Sequence, residues 1–263
     1  MENDINEPFL HYKEEDNNED IEKEIANKIR GGFITKVYGI LLFQIFLTSI
    51  IVYLGQISSS FQKLLITSYS LYFISIIITL VCLLLPICSP NIYQQVPMNY
   101  ITLIIFTLGY SWTVAATTCL YSSTSVLVAM FLTFVTVVSL TIYAKKAEKD
   151  YTIMGGTLFV SFILIMFSLF LLIFADISIF SLFTISLTLI LFSVYIMYDT
   201  QLIIGNKRRK FSEDDYILAA VTLYLDIIIL FLEILSIFGK KNENNWNVKK
   251  WFKKFISNLL KKI

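Results

Sequence analysis

The sequence predicts an all-α integral membrane protein of seven transmembrane helices, and two observations carry that prediction. Of 263 residues, 56% are hydrophobic and 15% aromatic against 16% charged, with a mean hydropathy of +0.71. That is far from a water-soluble domain. The apolar residues also fall in blocks of about 20, the length a helix needs to cross a hydrocarbon core of about 30 Å at about 1.5 Å per residue. Each block must be helical, because lipid offers no partner to a backbone amide.

Taken in order, the chain opens on MENDINEPFLHYKEEDNNEDIEKE, which is acidic and polar. It lacks the basic start and apolar core of a cleaved signal peptide. Residues 1–30 are therefore expected to be a disordered cytosolic tail, with a calcium-collecting or partner-binding role as the alternative to a solvated leader. The transmembrane domain, 31–239, holds the apolar segments Val37 to Leu54, Ser68 to Ile87, Tyr100 to Leu120, Thr124 to Tyr143, Gly155 to Ala175, Ile177 to Ile204 and Tyr216 to Phe238. Pro86, Pro90 and Pro97 punctuate the second link. Asp176 leaves almost no link between the fifth and sixth segments, which must form an antiparallel hairpin. Gly155 and Gly156 open the fifth, where small residues admit a neighbouring helix.

Residues 240–263 end in NVKKWFKKFISNLLKKI, with Val248, Trp251, Phe252, Phe255, Ile256, Leu259, Leu260 and Ile263 on one stripe and six lysines elsewhere. This reads as a basic amphipathic helix on an anionic membrane surface, or alternatively as a target helix for a calcium-sensor protein.

Basic residues orient the chain. Lys23, Lys28, Arg30 and Lys36 precede the first segment, Lys145, Lys146 and Lys149 follow the fourth, and Lys207, Arg208, Arg209 and Lys210 follow the sixth. A cytosolic N-terminus puts all three clusters in the cytosol. Seven full crossings would place the basic C-terminal segment on the other side, so either the seventh segment is re-entrant or the fold overrides the bias.

Several chemistries lack their residues. Cys82, Cys88 and Cys119 show no CxxC or Cys/His spacing and read as small hydrophobes, and the single histidine, His11, lies in the polar tail. No histidine metal site or histidine-dependent triad is available.

The candidate site is acidic. Asp226 is the eleventh of the 23 residues from Tyr216 to Phe238, close to mid-membrane, where a carboxylate is costly and usually functional. Asp199 lies about 9 Å along the sixth helix from Gly205, and Asp226 about 15 Å from Tyr216, so the two differ in depth by about 6 Å. They are expected to meet. Two carboxylates in a low-dielectric pocket cannot both ionise cheaply and should share a proton. They are also hard oxygen ligands for a transient calcium ion that would displace that proton. The structural alternative is a protonated Asp226 bonded to a tyrosine or threonine that fixes helix register. Glu233, seven residues on, shares Asp226's face. Arg208 or Arg209 is a candidate cytosolic latch on Asp199.

The order RGGFITKVYGILLFQIFLT, VPMNYITLIIFTL, KKAEKDYTIMGGTLFV, MYDTQLIIG and DDYILAAVTLYLDIIILFLEIL resembles the transmembrane Bax inhibitor motif family, its lifeguard branch, over Arg30 to Phe238. YDTQLIIG with LYLDII is the most specific part. The resemblance implies a seven-helix bundle with the seventh helix central, in endoplasmic reticulum, Golgi or related membranes. It further implies protection against cell-death signals, lowered calcium stores, and a pH-sensitive calcium leak controlled by Asp199 and Asp226. This chain departs from the family at FTLGYS, where Tyr110 stands in place of a frequent glutamate and becomes a candidate pathway residue. It also departs at YSST, which lacks an aspartate, in a slightly shorter NKRRKFSEDD loop, and at Glu233, which replaces a commonly aromatic or apolar residue and could supply the missing acid.

Two rival classes remain. A non-conducting scaffold would bind channels or apoptotic regulators through tails and loops. An intramembrane aspartyl protease would use its two aspartates as acid and base, but its second site is GxGD where this chain has LYLD, and no PAL motif follows. The expectation is a pH-sensitive calcium leak or leak regulator. It is not an enzyme, carries no cofactor apart from calcium as permeant or bound ion, and has lipid rather than nucleic acid as partner.

Overall fold

The computed structural model describes residues 7–174 and 178–242, with the side chains at 7–20, 87, 90, 91, 167–174 and 178–182 left aside. Eight α-helices run in order: α1 Glu7–Ile57, α2 Ser59–Thr67, α3 Tyr69–Cys88, α4 Met98–Thr118, α5 Ser123–Lys146, α6 Gly155–Phe174, α7 Ser178–Ile204 and α8 Tyr216–Phe238. Among the described residues six are long and apolar enough to cross a membrane, and a shorter apolar stretch, Tyr151–Met166, takes in the first part of α6. Asp176 and the C-terminal amphipathic segment beyond Asn242 lie outside the described residues.

Local chemistry sets several boundaries. Ser58 accepts from the Phe61 amide and starts α2, and Ser122 accepts from the Ser125 amide and starts α5, each at 3.3 Å. Side-chain oxygens at these positions satisfy amides that the helix itself leaves without partners. One boundary differs from expectation. Helix α1 begins at Glu7 and covers most of the segment read as a disordered tail. Helix-forming Glu, Lys and Ala in IEKEIANK join directly to the apolar run, so the span supplies a nucleus from which the helix extends backwards.

Burial runs from inside out. The most apolar window is 67% buried in α8, 56% in α4 and 50% in α7, but only 17% in α3 and α5. Helix α8 packs against α1, α4, α5 and α7. The outward faces stay apolar, with Leu42, Phe46, Phe131 and Phe134 all about two-thirds exposed. Such a surface needs hydrocarbon as its solvent.

The interior also carries polar side chains in partnership. Gln44 donates to Thr107 at 3.1 Å, and Thr48 meets Ser111 at 2.8 Å and Tyr224 at 2.7 Å, joining α1, α4 and α8. Between α3 and α4, Ser75 meets Thr113 at 2.8 Å. These bonds satisfy groups that lipid could not.

Helix α8 runs the length of the bundle beside α4. At its start, Asn99 donates to the Tyr216 hydroxyl at 3.2 Å, and the Lys36 ammonium lies 5.3 Å from the Tyr216 ring. At its far end the chain bridges Tyr121 through Lys241, with the Ser122 amide donating to the Lys240 carbonyl at 2.9 Å. The residues after α8 therefore leave from the end of the bundle opposite Lys36. The three basic clusters share the Lys36 end. Lys207 donates to the carbonyls of Ala147 and Glu148, both at 2.8 Å, and Arg30 to that of Phe211 at 2.8 Å.

Candidate functional site: a buried carboxyl pair between α7 and α8

The aspartates sit on antiparallel neighbours tied by the short loop from Gly205 to Asp215. Gly205 turns the chain out of α7 with φ +75°, a conformation that favours glycine. The loop folds back as the Phe211 amide donates to the Leu202 carbonyl at 3.2 Å. This closure sets the register of α7 against α8.

Asp199 and Asp226 are each 5% exposed. Their carboxyls face one another within hydrogen-bonding reach, and Asp199 also meets the hydroxyl of Thr222. The Oδ2 of Asp226 has no hydrogen-bond partner. Tyr195 lies within electrostatic reach of both carboxyls, Tyr198 of Asp199, and Tyr110 of Asp226. Tyr110 is held by Phe106, stacked at 6.0 Å between ring centroids, and by Tyr224, edge-on at 5.9 Å.

The chemistry of this donor set is narrow. Two carboxyls and one hydroxyl fall short of the 6 to 8 oxygens that calcium takes in a closed site. Among the described residues, no three His, Cys, Asp or Glu side chains cluster to hold a metal. The pair fits an ion passing with part of its water rather than a resident one. A separate cavity of about 140 Å³, lined by Thr48, Met130, Thr133, Phe134, Ile227 and Phe231 among others, is mainly apolar and contains neither carboxyl.

A matching family model, described as "Inhibitor of apoptosis-promoting Bax1", covers residues 30–243. The chain belongs to this family. Curated members resemble it over most of its length. "Protein LIFEGUARD 4" of Arabidopsis thaliana is 38% identical across 80% of this chain and 85% of the relative. "BI1-like protein" of the same plant is 37% identical across 80% and 81%. "Protein lifeguard 3" of Mus musculus is 30% identical across 82% and 71%.

Other candidates from the sequence are placed differently. Glu233 is half-buried and about 10 Å along α8 from Asp226, where its charge faces Tyr121 at the far end. Glu233 is not part of the pair. The latch expected from Arg208 or Arg209 on Asp199 is not the contact that forms. The Arg208 amide donates to Asp150 at 3.3 Å, while the Arg209 amide donates to Thr152 at 3.2 Å and its side chain meets Tyr198. The loop folds across the α5–α6 link through these amides, and the Arg209 side chain ends on Tyr198, beside Asp199 in the sequence.

Arg30, on α1, holds this end of the bundle instead. Its guanidinium donates to the carbonyls of Leu202, Ile204 and Phe211, lies 3.5 Å from Glu213, and sits 4.4 Å above the Phe33 ring. One cation thus binds the last turn of the Asp199 helix and the loop that leads to the Asp226 helix. Sequence reasoning counted Arg30 only as a topology charge. A signal existed for other neighbours: Tyr195 precedes Asp199 by four residues and Thr222 precedes Asp226 by four, the spacing that puts side chains on one helix face.

Proposed function

We propose that the chain is a pH-sensitive calcium leak, or the regulator of one, in an intracellular membrane, and that it suppresses cell death. The observation that carries this reading is the contact of Asp199 with Asp226, buried between two apolar helices. Carboxyls this close repel when both are charged, and a proton between them removes the repulsion. Loss of that proton, with calcium as the competing cation, couples pH to the separation of α7 and α8. Tyr195 and Tyr110 supply neutral polar groups beside that point. The family description and the relatives' names support a role against apoptosis.

In this reading all seven apolar segments cross, α8 forms the centre, and the N-terminus with the three basic clusters faces the cytosol. Endoplasmic reticulum or Golgi membrane is the proposed location. The burial of α8 and the shared end of the clusters support the arrangement.

The test is calcium flux into liposomes that hold the purified protein, across pH 6 to 8. Wild type should show a pH-dependent flux, and Asp199→Asn and Asp226→Asn should each lose the dependence, since an amide does not titrate. No flux at any pH would favour the second reading, a non-conducting scaffold. That reading draws on Ile21, Ile25 and Ile29, more than half exposed at four-residue spacing on α1 before Arg30, where an amphipathic partner helix could lie.

A further inference from the structure

The loop between α7 and α8 surrounds one serine with charge. Ser212 is followed by Glu213, Asp214 and Asp215 and preceded by Arg208, Arg209 and Lys210. It is exposed, whereas Phe211 and Glu213 on either side are half-buried, and it lies outside the helices. A hydroxyl so placed, at the start of the turn from Ser212 to Asp215, is open to a modifying enzyme. Two of the flanking basic side chains are engaged, Arg209 with Tyr198 and Lys210 at 3.7 Å from Glu213, while Asp214 stays exposed.

We propose that Ser212 is a phosphorylation site for a serine kinase that reads acidic residues after the serine, and that the phosphoryl group takes Arg30 from the end of α7. The reaction is a phosphoryl transfer. Ser212 Oγ bonds to the γ-phosphorus of ATP, its proton passes to the base of the kinase, the bond to the ADP oxygen breaks, and a phosphomonoester with a charge of about −1.5 to −2 remains. This deepens the proposed function, because it rests on a cytosolic loop and adds regulation to the same site.

The geometry gives the phosphate its partner. Arg30 Nη1 already touches both neighbours of Ser212, donating to the Phe211 carbonyl at 2.8 Å and lying 3.5 Å from Glu213 Oε1. Its other bonds go to the neutral carbonyls of Leu202 and Ile204. A dianion that accepts two parallel N–H bonds is the stronger partner for a guanidinium. The Ser212 carbonyl accepts from the Asp215 amide at 3.1 Å, which holds the serine beside the Glu213 that Arg30 meets. Arg30 drawn outward leaves the last turn of α7 without its clamp, and that turn follows Asp199 directly.

The experiment treats full-length, detergent-solubilised protein with an acid-directed serine/threonine kinase and magnesium ATP. Mass spectrometry then locates the phosphate, and hydrogen exchange follows the amides of residues 202–211. A phosphate on Ser212 is expected, absent in Ser212→Ala, with exchange at least three-fold faster than in unmodified protein. In Arg30→Gln the exchange should already be fast and phosphate should add nothing. In Lys210→Gln, which leaves Arg30 in place, the phosphate effect should persist, and its loss there would assign the phosphate to Lys210 and overturn the proposal. Failure to phosphorylate Ser212, or phosphorylation without change in exchange, also overturns it. Exchange is read without calcium, so absent calcium flux would remove the leak reading and leave this result standing.

Discussion

Asp199 and Asp226 are buried in an apolar bundle with little besides each other and Thr222 to share charge. The sequence revealed them because an intramembrane carboxylate is conspicuous wherever it stands. Arg30 was hidden for the opposite reason: an arginine at the head of a span is ordinary, and its burial to 11% exposure comes from segments more than 170 residues away. Two residues test these contacts. Gly205→Ala would put a methyl 2.5 Å from the Arg30 Nε at a positive φ. It should cost more than about 1 kcal/mol and speed exchange at the end of α7. Tyr224→Phe removes the hydroxyl shared with Thr48 at 2.7 Å, and a loss of about 0.5 to 1.5 kcal/mol is expected in a detergent-unfolding titration.

Among the elements, the link between α5 and α6 depends on one half-buried cap. Asp150 accepts from the hydroxyl of Thr152 at 2.6 Å and its amide at 2.9 Å, and these bonds, together with the Arg208 amide, hold its carboxyl below the ordinary value of 3.8. A lowered acid stabilises the fold in full above its unfolded value and loses that contribution as pH falls through the folded one. Protection of the Thr152 and Arg208 amides, read as exchange relative to the intrinsic rate at each pH, should therefore fall below about pH 4, and Asp150→Asn should remove that pH step. The apolar segments themselves were legible, since each of α3 to α8 overlaps a block of about 20 apolar residues. The nine-residue α2 was not, because Ser58 and a short amphipathic stretch look the same in a loop and in a helix. Helix α1 extends ahead of Arg30 into the segment whose acidic composition suggested a tail, where it is continuous with the apolar run.

For the whole molecule, the decisive feature is that α8 reaches the end of the bundle opposite Arg30. An epitope before Glu7 and another after Ile263 should be protected on opposite sides of sealed vesicles, as read by protease accessibility. Both epitopes on one side would require α8 to turn back within the membrane. The packing of α8 on four helices is what holds it in that direction.

Composition, segment length and the cost of buried charge were enough to determine an all-helical membrane protein and to single out the two aspartates, because hydrocarbon imposes the same demands on every residue that enters it; the family came from the resemblance carried by YDTQLIIG and LYLDII. Only the tertiary structure decided that Arg30 holds the end of α7 and that Tyr110 of α4 comes within reach of Asp226. Those outcomes depend on which distant segments pack together, and no local pattern of residues encodes that choice.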